Sequence, residues 1–165
     1  MNIYTLEEDI QKIKDRSPDE FNEVAHLTIP FYMFHQKMTN EIYQLEEEKY
    51  QITNTELDVL SCLRITGKED CILSPTKIHE RLLFTSGAIT KVLKKLEEKK
   101  YIVRLSNKYD KRSKLVQLTP LGSEISKKAL MDVLAYEEKC FSALSDEEKK
   151  TFKALFVKML KSKFE

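Results

Sequence analysis

Apolar residues follow the period of an α-helix along most of this chain, and strand-like sequence replaces that period in only one place. Spacings of three and four relate the apolar residues both before residue 100 and after residue 120. Between these segments, Tyr101–Leu105 and Leu115–Thr119 are rich in β-branched and aromatic residues, and the polar segment 107–112 separates them. Only three glycines and four prolines occur in 165 residues, so few tight turns are available. The sequence therefore predicts a mainly α-helical protein with one small β-hairpin.

Capping residues and prolines mark where the helices begin and end. Thr53 and Glu56 have the spacing of a capping box. Ser74 and Thr119 each precede a proline, as N-cap residues often do. Pro30 lies inside the longest helical pattern and is expected to kink or split it. The predicted helices span residues 5–15, 21–48, 53–65, 75–83, 86–99, 120–144 and 145–161, and Cys71–Leu73 is a candidate minimal strand.

The formal net charge of +1 hides a very uneven distribution of charge. Residues 1–48 carry eleven acids and four bases, whereas residues 85–114 carry ten bases and three acids. A basic block of this kind is typical of nucleic-acid binding, although many charge runs only solvate a helix. Here Lys91, Lys94 and Lys95 have no obvious balancing acids, which favours the nucleic-acid interpretation.

Several other classes of protein are disfavoured. No nucleophile–base pair, glycine-rich phosphate loop or metal motif is present, so we expect neither an enzyme nor a cofactor. The three histidines are not spaced as a ligand pair on a helix. The acidic N-terminus lacks the apolar stretch of a signal peptide, and the best apolar run, Leu27–Phe34, is much shorter than the ~20 residues of a membrane span. A cytoplasmic protein without membrane contact is expected.

The three cysteines, Cys62, Cys71 and Cys140, are far apart and form no CxxC motif. Free thiols in a reducing compartment are their expected state. Cys62 falls on a predicted apolar face and should be inert, so Cys71 is the better candidate for a reactive thiol.

Three helices, a hairpin, and a basic block that covers the third helix and the hairpin form the plan of a winged helix-turn-helix. The apolar residues of the third helix, 86–99, share one face and should be buried: Ile89, Val92, Leu93 and Leu96. The opposite face would then enter the DNA major groove, and the basic hairpin tip would enter the minor groove.

The residues expected to contact DNA lie at the start of helix 75–83, along the outer face of helix 86–99 and at the hairpin tip. They are Ser74, Thr76, Thr85, Ser86, Gly87, Ala88, Thr90, Lys91, Lys94, Lys95, Lys108, Lys111 and Arg112. Asp110 is expected to hold Arg112 through a charge-assisted hydrogen bond rather than to contact DNA itself.

The segment TSGAITKVLKKLEEKKYIVRLSNKYDKRSKLVQLTPLG, residues 85–122, resembles the recognition helix, wing and following helix start of the MarR family. The matching positions are Thr90, Leu93, Leu96 and Glu97 in the helix, Asp110 and Arg112 in the wing, and Leu118, Thr119 and Gly122 at the exit. A looser match extends the resemblance back to about residue 52. Two features depart from the family pattern: Lys100 stands where glycine is usual, and residues 107–109 differ from the usual wing sequence.

The resemblance implies a winged helix-turn-helix lobe at 51–120, an N-terminal extension and dimerisation helix at 1–50, and C-terminal dimerisation helices at 121–165. It further implies a homodimeric transcriptional regulator, expected to be a repressor, on a pseudo-palindromic operator. Release by a lipophilic or phenolic ligand is possible, with a candidate cleft lined by Tyr32, Phe34, His35 and Tyr43. Two alternatives remain: a winged helix that binds protein or RNA, and a regulator that senses redox state through a thiol.

Overall fold

A computed structural model gives the fold of residues 3–67, 70–82, 86–106 and 114–164. These described residues form seven α-helices and three short strands. In chain order the elements are α1 (Leu6–Arg16), α2 (Ala25–Leu45), α3 (Asn54–Thr66), β1 (Ile72–Leu73), α4 (Pro75–Leu82), α5 (Ser86–Glu98), β2 (Ile102–Ser106), β3 (Lys114–Leu118), α6 (Pro120–Cys140) and α7 (Asp146–Phe164). A 3-10 turn, Ile3–Thr5, precedes α1, and a π-helical turn, Glu46–Tyr50, continues α2.

The chain divides into two compact units, residues 1–41 and 42–165. In the first unit, Ile10 of α1 is buried. The Lys14 ammonium lies 2.6 Å from a Glu23 carboxylate oxygen and 5.3 Å from the centre of the Phe21 ring. These contacts fix the segment between α1 and α2.

Of the two effects expected of Pro30, a kink or a split, the split does not occur, because α2 runs without interruption from Ala25 to Leu45. Proline removes one backbone N–H, which here costs the hydrogen bond to the carbonyl of His26 in the first turn. The rest of the helix keeps its ladder. The prediction of a split is therefore wrong, and the kink stays a prediction.

The core of the second unit lies among α3, α4, α5 and a three-stranded antiparallel sheet in the order β1–β3–β2. Ile72 of β1 pairs with Gln117, and Ile102 of β2 pairs with Leu118, so β3 is the central strand. The predicted minimal strand and hairpin are confirmed, each to within a residue or two. Leu57, Leu60 and Leu63 form a buried stripe on α3.

Capping interactions define the starts of α3 and α6 as predicted. Glu56 N–H donates to Thr53 Oγ1 at 3.3 Å, and Thr53 N–H donates to Glu56 Oε2 at 2.8 Å, which completes the capping box. Thr119 Oγ1 accepts from Gly122 N–H at 3.0 Å. Gly122 packs so closely on the residue before β2 that a Cβ there would lie 2.1 Å from the Tyr101 carbonyl oxygen.

The C-terminal helices end differently from the prediction. α6 stops at Cys140 instead of near residue 144, because the chain tightens into turns. Ser142 N–H donates to the Lys139 carbonyl and Leu144 N–H to the Phe141 carbonyl, both at 3.2 Å. α7 begins after Ser145, whose hydroxyl contacts Glu148, and it continues to Phe164.

α5 ends in a Schellman motif built around a lysine. Tyr101 N–H donates to the Leu96 carbonyl at 2.9 Å, and Lys100 N–H donates to the Glu97 carbonyl at 3.0 Å. Lys100 is consequently held at φ 61°, in the left-handed region that glycine occupies most easily. Lys100 stands where the family usually has glycine, and it still adopts the left-handed conformation that ends the helix.

Glu46, in the π-helical turn, is a fully buried carboxyl group. Its Oε1 accepts from Asn54 Nδ2 at 3.3 Å, and its Oε2 has no hydrogen-bond partner among the described residues. Burial raises the pKa of Glu46; the Asn54 hydrogen bond opposes this rise and the negative charge of Asp58 adds to it. The folded protein therefore binds a proton at this site more tightly than the unfolded chain does.

We expect the free energy of unfolding of the wild type to fall as pH rises, and Glu46→Gln to remove this dependence. Because the pKa of Glu46 is raised in the folded protein, the cost of ionising this buried carboxyl group is absent below the ordinary value of 4.5. The cost grows as pH rises from there to the raised pKa. Urea unfolding at several pH values should show the variant gaining stability relative to wild type over that window. Glu98→Gln, at an exposed site, is the control for the loss of a carboxylate elsewhere in the chain. A pH-independent difference between wild type and Glu46→Gln would contradict the assignment.

Lys100→Gly should raise the free energy of unfolding by about 0.5–1 kcal/mol, because glycine adopts a positive φ without the strain of a Cβ. Lys127→Gly, in the exposed interior of α6, is the matched control and should lose about 1 kcal/mol. Urea denaturation of both variants tests the pair. A loss of stability at both positions would show that the left-handed lysine is not strained.

Candidate nucleic-acid interface

One face of α5 is fixed to the core, and this fixes where its opposite face points. Ile89, Leu93 and Leu96 are at most 3% exposed, and Val92 packs against the same core cluster. The predicted buried face of this helix is therefore confirmed. On the opposite side of the helix, Thr90, Lys91, Lys94 and Lys95 are exposed.

The start of α5 is open enough for another backbone to approach it. A Cβ added to Gly87 would meet nothing within 4 Å, and Ala88 is half-buried. Ser74 caps α4, because its Oγ accepts from Lys77 N–H at 3.2 Å. Thr76, in the first turn of α4, is exposed. Small or hydroxyl-bearing residues thus occupy the beginnings of both helices of the helix-turn-helix.

The prediction that the lysines of α5 lack balancing acids is only partly correct. Lys94 Nζ lies 3.9 Å from Glu98 Oε1, one turn along the helix. The pair is largely exposed, so its contribution to stability is small. Lys91 and Lys95 form no ion pair with any described residue. The outer face of α5 thus keeps two uncommitted positive charges and a third that is weakly paired.

The strands of the hairpin support a basic segment at their ends. Ser106 is paired with Lys114, and Lys114 Nζ donates to Ser106 Oγ at 3.4 Å. Residues 107–113 join these two strand ends. Of the predicted site residues, Thr85, Lys108, Asp110, Lys111 and Arg112 lie outside the described residues, so their roles stay predictions.

Two ion pairs at the end of α5 were not found from the sequence. Arg104 Nε of β2 donates to Glu97 Oε2 at 3.1 Å, which ties the hairpin to the helix. Lys99 Nζ contacts both carboxylate oxygens of Glu56, at 2.8 and 3.0 Å. The sequence assigned Glu56 only to the capping box; its strong capping signal gave no indication of a partner 43 residues away.

The candidate cleft residues are all exposed in the single chain. Tyr32, Phe34 and Tyr43 have between 40% and 65% of their surface accessible, and His35 is also exposed. Tyr32 and Phe34 are two positions apart on a helix, so they point about 200° apart. Whether these residues line a ligand cleft stays a prediction.

The cysteines are unpaired: Cys62 is buried, and Cys71 and Cys140 are half-buried. Over the described residues, no three His, Cys, Asp or Glu side chains gather as a possible metal site. In the same part of the chain, no helix combines the length and apolar character needed to cross a membrane.

Comparison with known proteins identifies the family. The sequence model of the MarR family matches residues 52–114. The multiple antibiotic resistance protein MarR of Salmonella typhimurium is 38% identical over 111 residues, which cover 65% of this chain and 71% of that protein. An uncharacterized HTH-type transcriptional regulator of Bacillus cereus is 31% identical over 129 residues, 76% of this chain and 83% of the relative.

Solved structures agree with the sequence relatives. The Staphylococcus aureus MepR–DNA complex superposes with a TM-score of 0.71 at 29% identity, and covers 87% of this chain and 99% of its own. A cysteine-to-serine mutant of Escherichia coli MarR complexed with operator DNA gives a TM-score of 0.70 at 27% identity, with 86% and 98% covered. The fold agrees with these matches, because α5 of the winged helix presents lysines outward. This chain belongs to the MarR family of DNA-binding transcriptional regulators and is not an enzyme.

Proposed function

We propose that this protein is a homodimeric repressor that binds a pseudo-palindromic operator, with α5 of each protomer in a major groove. The observation that carries the proposal is the face of α5 opposite the core, where Thr90, Lys91, Lys94 and Lys95 are all exposed. An α-helix fits the major groove, and hydroxyl and ammonium groups can reach base edges and phosphates from it. Operator or other DNA is present in the MarR and MepR structures that this fold matches.

The proposed contacts divide by their place on the lobe. Near the start of α5, Thr85, Ser86, Gly87, Ala88 and Thr90 let the backbone and hydroxyl groups approach bases and phosphates. Lys91, Lys94 and Lys95 follow the phosphate backbone along the groove.

The other proposed contacts flank α5. Ser74 and Thr76 place the N-terminus of α4 near a phosphate. Lys108, Lys111 and Arg112 belong to the wing and the minor groove, with Asp110 orienting Arg112.

Dimerisation is supported by apolar surface that the single chain leaves in water. On α7, Leu155, Met159 and Leu160 are each more than half exposed, and on α6 so are Met131 and Leu134. When several large apolar side chains are exposed together on a soluble protein, they generally mark an interaction surface. A second copy of the chain is the occupant that a pseudo-palindromic operator requires, because two-fold DNA sites pair with two-fold proteins.

Release by a small lipophilic or phenolic ligand is the remaining part of the proposal. Exposed aromatic groups on α2, namely Tyr32, Phe34 and Tyr43, with His35, supply apolar rings and hydrogen-bonding groups suited to such a ligand. A partner protomer would have to complete the enclosure, because the single chain leaves these groups open to solvent.

Lys91→Gln tests the DNA-binding surface. An operator is first selected from a random duplex library with the wild-type protein, and affinity is then measured by fluorescence anisotropy at several salt concentrations. Loss of one phosphate contact should weaken binding and reduce the slope of log affinity against log salt by about 0.9. Lys127→Gln, an exposed lysine on α6, should leave both unchanged. Equal behaviour of the two variants would exclude Lys91 from the interface.

A double substitution, Leu155→Glu with Met159→Glu, tests the dimer. Both side chains are more than half exposed in the single chain, so the charges should not unfold it but should prevent apolar association. Analytical ultracentrifugation should show the mass of one chain instead of two. Lys161→Glu, on the opposite side of α7, is the control and should stay dimeric. Persistence of the dimer in the double variant would place the interface on other helices.

A further inference from the structure

Lys99, the residue directly after α5, turns its ammonium group back into the protein. Lys99 Nζ lies 2.8 Å from Glu56 Oε2, 3.0 Å from Glu56 Oε1 and 2.7 Å from the carbonyl oxygen of Gln51. An ammonium has three N–H donors, and here three protein oxygens accept them. Although Lys99 belongs to the basic block of the sequence, no donor is left for a DNA phosphate.

The two partners of Lys99 lie in residues 46–56, which form the junction between the end of α2 and the start of α3. Gln51 ends the π-helical turn in the left-handed conformation, at φ 53°. Glu56 is the acid of the capping box, and its side chain is only 1% exposed. A single lysine therefore joins the C-terminal end of α5 to two consecutive helix ends.

The junction is itself fixed from its other side. Tyr50 Oη donates to Asp132 of α6, and Lys49 forms an ion pair with the same carboxylate. Both interactions hold the pKa of Asp132 below its ordinary value, the Lys49 hydrogen bond more strongly than the Tyr50 one. Lys99 thus joins the end of α5 to residues 46–56, which Lys49 and Tyr50 already attach to α6.

We propose that Lys99 is a positioning residue for DNA recognition, which sets the direction in which α5 projects from the lobe without contacting DNA. This inference rests on the operator binding proposed above. Apolar packing of Ile89, Leu93 and Leu96 holds one face of the helix but is not directional. The charge-assisted hydrogen bonds of Lys99 fix the position of the C-terminal end of α5. The position of that end determines which bases the exposed residues of α5 reach.

A positioning role and a phosphate contact predict different changes in specificity. Loss of a phosphate contact weakens binding to every DNA sequence by a similar factor. Loss of a positioning contact moves the base-reading side chains, so binding to the operator falls while binding to unrelated DNA is kept. The ratio of these two affinities separates the two roles.

The main variant combines Glu56→Gln with Lys99→Met. Glutamine can still serve in the capping box, and methionine keeps most of the aliphatic stem of Lys99, so no buried charge is left unpaired. Anisotropy titrations would use the operator duplex and a scrambled duplex of equal length and composition. We expect operator affinity to fall about tenfold, comparable to one lost base contact, with scrambled-duplex affinity unchanged. Parallel weakening on both duplexes, or no change on either, would overturn the proposal.

A second comparison uses two variants that remove one acid each. Glu56→Gln and Glu98→Gln both make the lobe more positive, and electrostatics alone would tighten DNA binding in both. If Lys99 positions α5, Glu56→Gln should weaken operator binding whereas Glu98→Gln should not. Tighter operator binding by Glu56→Gln would refute the positioning role even if the double variant failed to fold. If wild type itself showed no preference for any selected operator, the proposed regulator function would fail instead.

Discussion

The burial of one side of α5 determines which of its side chains lie on the candidate DNA-binding surface. Ile89, Leu93 and Leu96 sit at the centre of the core formed by α3, α4 and the sheet. Burying three such side chains stabilises the fold by several kcal/mol, which far exceeds what the exposed lysines gain or lose. Because the apolar side of α5 is buried in the core, its polar side faces solvent. A regulator can therefore vary those outer residues without changing the fold.

Counting charges in the sequence overstates how many are available to DNA. Ten bases fall in residues 85–114, but the structure assigns some of them to the protein itself. The ammonium of Lys99 is bound to Glu56 and Gln51, and Arg104 pairs with Glu97. Among the described bases of this block, some therefore hold the lobe in shape and others face outward.

Much of the lobe could be predicted because local sequence determines it. The capping box at Thr53 and Glu56, the buried face of α5 and the hairpin strands depend on neighbouring residues and on periodicity. Periodicity could not decide whether Pro30 kinks or splits α2, because the effect of a proline depends on where the helix begins. The Lys99–Glu56 pair was missed for a different reason: two residues 43 positions apart meet only after the core has formed.

The candidate ligand cleft was the least predictable part of the site. Its aromatic residues are exposed in a single chain, and nothing in the spacing of Tyr32, Phe34, His35 and Tyr43 specifies what would cover them. Surfaces completed by another molecule leave only a weak signal in sequence, since an exposed aromatic residue looks the same whether or not it binds anything.

The central position of β3 in the sheet has a mechanical consequence. β3 pairs with β2 on one edge and with β1 on the other, and β1 leads directly through Ser74 into α4. Both β1 and β2 are thus hydrogen-bonded to the same strand, and neither can leave β3 without breaking its own ladder bonds. The start of α4 and the strand ends at Ser106 and Lys114 should therefore move together.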